Sequence, residues 1–403
     1  MVGVFFASTL FMLIGIDAHN LEGKRTGVGR YLFNLLKVWS AWQIGESLNT
    51  LQYLRNCQLK FILYFKDEIP ADLPKSDLFD CKLLSVSSTA KFIHWDLWRA
   101  AKKDRVEILF CPGYVAPLYY RGKIALTLHD IVYEAHPEWF NWPSPADKIL
   151  LKWVSKKSAR KAAVIFVPSE FSRQEVIKFY GVNPSKVVLT YGAADSSFQY
   201  HHSDNDTGKS AESAEMKKKY GIGKEFGFFV GSIFTRRHLP EIIEAFIGIA
   251  KKYPNCQFLA GGRDYTSGRA VDKLAEKINR ELGREAILRV DFIGDNELKL
   301  LYSACAFFIW LSDYEGFGFP PLEAMNVGVP VITSDSTSLK EVAGKAALLI
   351  KDNSDIEEIY RAMERLVEDE VLRQGLIAKG KEQAKKFSWE RCAEETLNLL
   401  TSV

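Results

Sequence analysis

The chain has 403 residues, 47% of them hydrophobic, and a formal net charge of +3. That length exceeds what one hydrophobic core usually serves, so two domains are expected. The near-neutral charge argues against a dedicated nucleic-acid binder, which carries a strongly basic face.

Residues 2–16 are almost wholly apolar. They lack the basic flank of a signal peptide and are too short to span a bilayer. They run into Gly15-Ile16-Asp17-Ala18-His19, which reads as a first strand (13–17) and its turn, so the core is expected to start near Met12 with residues 1–11 a loose extension. Next comes Lys24-Arg25-Thr26-Gly27-Val28-Gly29-Arg30-Tyr31, a glycine stretch expected to open a helix over 31–39. Gly27, Val28 and Gly29 are candidates to meet a phosphate or a substrate hydroxyl at that helix start. The stretch is not GxGxxG and no acidic residue follows at the expected distance, which disfavours a nicotinamide enzyme.

Further strand-length apolar runs lie at 59–65, 108–110, 124–128, 164–167 and 187–190. Thr127-Leu128-His129-Asp130 ends one of them. Ligands of open parallel sheets bind outside that edge, so His129 and Asp130 are site candidates, against the plainer reading of a core histidine. Aromatic and basic residues interleave at Phe92, Trp95, Trp98 and Arg99, and again at Trp142, Lys148, Lys152, Trp153, Lys156 and Lys157. Such a surface suits an anionic membrane; the plainer reading makes the aromatics core and the lysines solvated. Ser172 with Glu175, and later Ser338 with Glu341, have capping-box spacing. The polar stretch 200–219 reads as a loop near the domain junction. Its Asp204-Asn205-Asp206 has metal-binding chemistry, but no metal site is favoured. The six cysteines (Cys57, Cys81, Cys111, Cys256, Cys305, Cys392) are scattered without a CxxC pair. They read as reduced thiols of a cytoplasmic protein and disfavour zinc.

Strands resume at 227–230, 257–260, 290–293, 307–311, 329–333 and 347–350, alternating with helical patterns. Continuous apolar strands between helices mean parallel sheets covered on both faces, so two doubly wound α/β domains are expected. Gly231-Ser232-Ile233-Phe234-Thr235-Arg236-Arg237-His238 follows one strand. Arg236 and Arg237 suit a diphosphate, because guanidinium pairs with phosphate oxygens bidentately. Pro240 then opens a helix with Ile242, Phe246, Ile249 and Ala250 on one face.

The stretch from Tyr314 to Pro330 reads YEGFGFPPLEAMNVGVP. Glu315 sits on a glycine loop, Gly316 and Gly318 let backbone amides approach a ligand, and Pro320 and Pro321 fit a helix start. Glu323 lies in the first turns of that helix. An anion site beside two carboxylates fits a ligand with both phosphate and hydroxyls, such as a nucleotide sugar. Residues 388–400 read as a last amphipathic helix.

Together these motifs resemble the retaining GT-B glycosyltransferases of family four (glycosyl transferases group 1), especially GDP-mannose-dependent mannosyltransferases. The resemblance implies two Rossmann-like domains facing a cleft: an acceptor-side domain at 1–198, a polar linker at 199–222, a nucleotide-sugar domain at 223–386 and a final helix at 387–403 crossing back to the first domain. It implies that Glu323 binds the ribose hydroxyls and that Glu315 faces the donor sugar. Gly231, Ser232 and Gly316, Phe317, Gly318 and Phe319 would lend contacts to sugar and phosphate, Arg236 and Arg237 would hold the diphosphate, and His129 would sit at the donor sugar. The family usually has arginine then lysine; Arg237 stands at the lysine position and keeps the charge. The expected reaction is hexose transfer, mannose favoured, from a nucleotide-diphosphate sugar (GDP-mannose favoured, UDP-sugar the alternative) to a saccharide or lipid-linked acceptor in polysaccharide or glycoconjugate synthesis. It would need no metal or other cofactor, no nucleic-acid partner, and a cytoplasmic location with peripheral contact at the inner membrane face as one option. A UDP-glucose-type enzyme of the same fold and a non-catalytic nucleotide-sugar-binding scaffold are the alternatives. A phosphorylase would need a pyridoxal lysine, and none stands out. A hydrolase with two carboxylates fits this architecture poorly.

Overall fold

In a computed structural model of the chain, residues 11–42, 58–140, 142, 144–195, 198 and 206–403 are described. Two compact units emerge, one made of Met1–Gly192 with Ser388–Val403, the other of Ala193–Phe387. The first holds a seven-stranded sheet of β1 (Phe11–Asp17), β2 (Gln58–Phe65), β3 (Phe79–Leu83), β4 (Ile108–Cys111), β5 (Lys123–Thr127), β6 (Val164–Val167) and β7 (Val187–Leu189), in the order β3-β2-β1-β4-β5-β6-β7. The second holds β8 (Glu225–Val230), β9 (Cys256–Gly261), β10 (Ile287–Val290), β11 (Phe307–Trp310), β12 (Val331–Ser334) and β13 (Ala347–Ile350), in the order β10-β9-β8-β11-β12-β13. Neighbouring strands run parallel in both sheets.

The central strands β4, β6, β11 and β12 are buried along their whole length. That is why their sequences are continuous apolar runs rather than alternating ones. β3 escaped the sequence reading because it is an exposed edge strand, Phe-Asp-Cys-Lys-Leu, with little apolar signal. β10 lies three residues earlier than expected. Asp291 and Gly294 belong instead to the turn that leads into the helix Asp295–Ala304.

In the first unit the helix Gly27–Ala41 lays Trp39 flat on Phe61 of β2, ring centroids 4.9 Å apart and planes within 8°. Full burial of a Phe-sized side chain contributes roughly 1.5–3 kcal/mol. The Trp39 indole Nε1 donates to the Ala393 carbonyl at 3.1 Å. Ala393 belongs to the last helix, Trp389–Ser402, whose N-cap Ser388 accepts from the Arg391 amide. The end of the chain thus returns to the first unit.

Three expectations change. The polar stretch is not all loop, because Asp206–Lys219 is helical. Its alanines, glutamates and lysines are good helix formers, and three lysines in the last turn complement the dipole. The caps also move. Ser169, not Ser172, caps the helix Glu170–Tyr180, accepting from the Ser172 amide at 3.0 Å. Ser336, not Ser338, precedes the helix Thr337–Ala343, which frees the Ser338 hydroxyl for another partner. Third, the N-terminal glycines lie inside the first turn of their helix rather than in a loop before it. The expectations about residues 1–10, Cys57 and Asp204-Asn205 fall outside the described residues. Among those described, no helix is long and apolar enough to cross a membrane.

Candidate active site

Strand order reverses between β8 and β11 in the second unit, and such a switch point opens a crevice outside the strand ends. The two loops that leave β8 and β11 carry the arginines and Glu315. After β8 the chain passes Gly231, whose φ of +143° is open to glycine alone, and reaches a short 3-10 turn, Thr235–Arg237. Arg237 is held on several sides. Its Nε donates to Glu315 Oε1 at 3.1 Å, its Nη1 donates to the Ser232 carbonyl, and its guanidinium lies 4.4 Å from the centre of the buried Trp310 ring. Arg236 lies over Phe234 at 4.5 Å, and Phe234 stacks on Tyr265 at 5.1 Å. Cation–π contacts of this kind fix a guanidinium's plane while leaving charge for a ligand.

After β11 the loop is pinned from beneath. The Ser312 amide donates to Ser334 Oγ at 2.9 Å, and the Ser338 hydroxyl donates to the Glu315 carbonyl at 2.7 Å. Gly318, with φ +111°, caps the helix Phe319–Val327, and a Cβ there would lie 2.8 Å from a Leu339 methyl. Pro320 and Pro321 have no N–H, so an anion at this helix start would meet the amides of Gly316 to Phe319 and the dipole. Glu323 is 8% exposed. The Tyr302 hydroxyl donates to Glu323 Oε2 at 3.2 Å and lies 3.4 Å from the Pro320 carbonyl. Tyr302 is itself wedged edge-on against Phe228 and Phe308. Gly231, Ser232, Arg236, Arg237, Glu315 to Phe319 and Glu323 therefore belong to one strand-end region of one unit.

The first unit carries the remaining candidates. Gly29 is required by packing, since a Cβ there would lie 2.2 Å from the Asn20 carbonyl oxygen. Gly27 faces open space, with nothing within 4 Å of a built Cβ, and Val28 lies between them in the same helical turn. The preceding loop is tied by a two-pronged contact from Arg25 to Asp72, at 2.7 and 2.5 Å. His129 follows β5. Its Nε2 sits 3.3 Å from the Pro112 carbonyl, and its ring meets Tyr31 edge-on at 4.8 Å. Burial lowers its pKa to about 4, so the imidazole is neutral near pH 7. Because a carbonyl only accepts, the Nε2–H tautomer leaves Nδ1 as an acceptor. Asp130 uses Oδ1 to accept from the Val132 amide at 3.1 Å.

The chain's similarity to known proteins bears on this site. Residues 212–383 match the family of glycosyl transferases group 1, and residues 82–198 match Glycosyltransferase Family 4. The chain belongs to the group 1 glycosyltransferases. It is 28% identical over 392 residues to the O-antigen chain mannosyltransferase B of Escherichia coli, covering 93% of this chain and 95% of the relative. It is 31% identical over 238 residues to the serotype-specific mannosyltransferase WbdA of Escherichia coli, but that match spans 58% of this chain and 28% of the relative. The fold is that of WaaG, a glycosyltransferase involved in lipopolysaccharide biosynthesis, with a TM-score of 0.71 at 14% identity over 97% of this chain and 100% of that one. The expected GT-B fold class, family and enzyme class therefore hold for this glycosyltransferase.

Two features of the enzyme had no assigned role in the sequence. In the first unit His19 Nδ1 lies 2.5 Å from Asp17 Oδ1. Burial pulls the His19 pKa down, the Asp17 carboxylate outweighs it, and the net shift is upward. His19 borders an open pocket of about 370 Å³ shared with Glu22, Lys66, Asp67 and Glu68. In the second unit His238, beside the arginines, carries carboxylates near both ring nitrogens. The signal for both was a histidine directly after a strand-end motif.

Proposed function

We propose that this glycosyltransferase moves mannose, with retention, from GDP-mannose to a saccharide or lipid-linked saccharide. The observation that carries the reading is the Arg237–Glu315 pair at the β8/β11 switch point, with Glu323 in the helix that follows Glu315. The mannosyltransferase B relative, similar over nearly the full length of both chains, supports mannose as the sugar. In the reaction the bond from the anomeric carbon to the β-phosphate oxygen breaks and a bond to the acceptor oxygen forms. The leaving diphosphate gains charge as the bond breaks. Arg236, Arg237 and the Gly316–Phe319 amides are assigned to stabilise it from fixed positions, with no metal. Glu315, already paired with Arg237, is suited to orient a sugar hydroxyl. The acceptor proton then goes to the departing phosphate in a front-face route, or to a base in a covalent one. His129 is assigned to the donor sugar, and Asp130 and the first turn at Gly27 to the acceptor side. The carboxylates and lysine around His19 suit sugar hydroxyls as well.

A donor panel tests this reading. GDP and GDP-mannose are expected to raise the melting temperature, and GDP-mannose alone is expected to yield slow nucleotide release, unchanged by a chelator. Stabilisation and release with UDP-glucose instead would move the enzyme to the alternative donor. Stabilisation without release, even with acceptor present, would favour the scaffold.

Contact with an anionic membrane surface belongs to the same reading. The interleaved residues divide: Phe92 is core, while Trp95 is exposed. In the helix Pro145–Lys161 the apolar residues point the unusual way. Ile149, Leu150 and Trp153 are 67%, 59% and 52% exposed, whereas Val154, Ser155, Ser158 and Ala159 face inward. Lys157 and Arg160 continue the outward face. An apolar strip edged by cations suits anionic lipid. Sedimentation with phosphatidylglycerol vesicles should carry the enzyme down, phosphatidylcholine vesicles should not, and Leu150→Glu with Trp153→Glu should cut binding about 10-fold or more. A dimer lost in that variant, without vesicle binding, would assign the strip to a second copy of the chain.

A further inference from the structure

We propose that His238 is a positively charged strut that locks the Arg236–Arg237 loop onto the Glu315 loop, and so acts as a positioning residue for the donor site. The inference rests on the functional reading above for what the loops hold, but the strut itself is a matter of geometry.

His238 is the residue at which the arginine turn becomes the helix Leu239–Lys252. Its backbone is left-handed, φ +49° and ψ +31°. A residue with a Cβ takes that conformation at a cost and keeps it only where its surroundings hold it. The hold is visible at the ring. His238 Nε2 lies 2.8 Å from Asp313 Oδ2, and Nδ1 lies 3.5 Å from Glu241 Oε1. These are ion-pair distances, so the ring meets both carboxylates favourably when it carries the imidazolium charge, whereas a neutral imidazole would also turn a lone pair toward one of them.

Asp313 is the other end of the strut, and it is fixed independently. Its amide donates to the Arg236 carbonyl at 2.9 Å, and its Oδ1 accepts from Asn353 Nδ2 at 2.9 Å. Asn353 Oδ1 in turn accepts from Ser334 Oγ at 2.7 Å, and Ser334 Oγ accepts from the Ser312 amide. The chain of contacts therefore runs from the arginine turn, through His238 and Asp313, to the loops that follow β11 and β13. It runs alongside the direct Arg237–Glu315 pair and joins the same two loops. Asp313 stands two residues before Glu315, so movement of one carries to the other.

The charged groups acting on the ring are Asp313 from the β11 loop and Glu241 from its own helix, while the neighbouring Arg237 is paired with Glu315. Burial pulls the His238 pKa down, and the two carboxylates outweigh it and raise it to about 9 from the ordinary 6.5. With a raised folded-state pKa, the strut's contribution is complete below about pH 6.5 and is lost as pH climbs through about 9.

The test combines imidazole titration with activity. In the full enzyme, the His238 ring followed by NMR is expected to titrate near 9 and to fall toward 6.5 in Asp313→Asn. A ring that titrates at or below 6.5 in the unaltered enzyme overturns the strut. His238→Asn and His238→Gly both accept left-handed backbone, so they keep the conformation and remove the charge. Both are expected to lower kcat/KM roughly 10- to 10²-fold, as small misplacements of positioning groups do. Both should also lose the fall in kcat/KM that is expected of the unaltered enzyme around pH 9. Either variant with full activity and the original pH profile would mean that only the backbone turn matters. If the unaltered enzyme turned over no nucleotide sugar, the functional reading would fail, and the ring titration would still decide the strut.

Discussion

Arg237→Ala is expected to lower turnover by about 10²-fold or more with the fold retained. The estimate follows from what removing one preorganised charge stabiliser does elsewhere. Arg237 is preorganised in a demonstrable way, since Glu315, the Ser232 carbonyl and the Trp310 ring all fix one guanidinium. On the proposed diphosphate role, this charge would need no reorganisation at the moment of bond breaking. The loss should therefore fall on kcat at saturating donor rather than on KM alone. Alanine also leaves the Glu315 carboxylate without its partner, so Arg237→Ala combined with Glu315→Gln separates the two effects. If the double variant loses as much as the two single variants multiplied together, the missing cation is the cause. Arg237→Lys keeps the charge but cannot reach Glu315 and the Ser232 carbonyl in one fork, so an intermediate rate is expected. Steady-state kinetics with the donor that the panel identifies provides the measurement, and near-wild-type turnover in Arg237→Ala would remove the diphosphate role.

How much of this was legible in the sequence depends on what each feature is made of. Buried parallel strands announce themselves because both faces are apolar, and twelve runs could be placed from Leu13 to Ile350. The edge strand β3 could not, because a half-solvated edge has the composition of a loop. The motif around Glu315 was legible for a different reason: glycines, prolines and carboxylates at fixed spacing have few other uses. Its support was not. Ser338 has capping-box spacing with Glu341, and nothing local shows that its hydroxyl instead reaches back 23 residues to the Glu315 carbonyl. The same holds for His238. The chain shows a histidine after two arginines, but Asp313, Asn353 and Ser334 arrive from the ends of other strands and only the fold assembles them. Gly29 is the reverse case. Paired with Gly27 it looked like ligand-facing backbone, and the fold gives it a packing reason of its own in the Asn20 carbonyl.

Glu323→Ala is expected to weaken binding of the nucleotide diphosphate by about 10- to 10²-fold. A hydrogen bond to a charged group contributes about 1.5–3 kcal/mol, and each 1.4 kcal/mol is tenfold in affinity. The carboxylate is held in place rather than left in solvent. It is 8% exposed, it lies in the first turns of the helix that Gly318 opens, and the Tyr302 hydroxyl holds one of its oxygens. A carboxylate with one oxygen held by tyrosine has the chemistry to accept from a pair of neighbouring hydroxyls, as a ribose offers, and that is the role proposed for it. A ribose contact would be remote from the breaking bond and the same in ground and transition states. Glu323→Ala should therefore raise KM while leaving kcat at saturation close to its original value, the opposite division from Arg237→Ala. Glu323→Gln, which keeps the shape and one acceptor, should lose less. Calorimetry with GDP and with UDP makes the measurement, and affinity unchanged by Glu323→Ala would end the ribose assignment. The alternative outcome, a drop in kcat with unaltered affinity, would move Glu323 from the nucleotide to the reacting sugar.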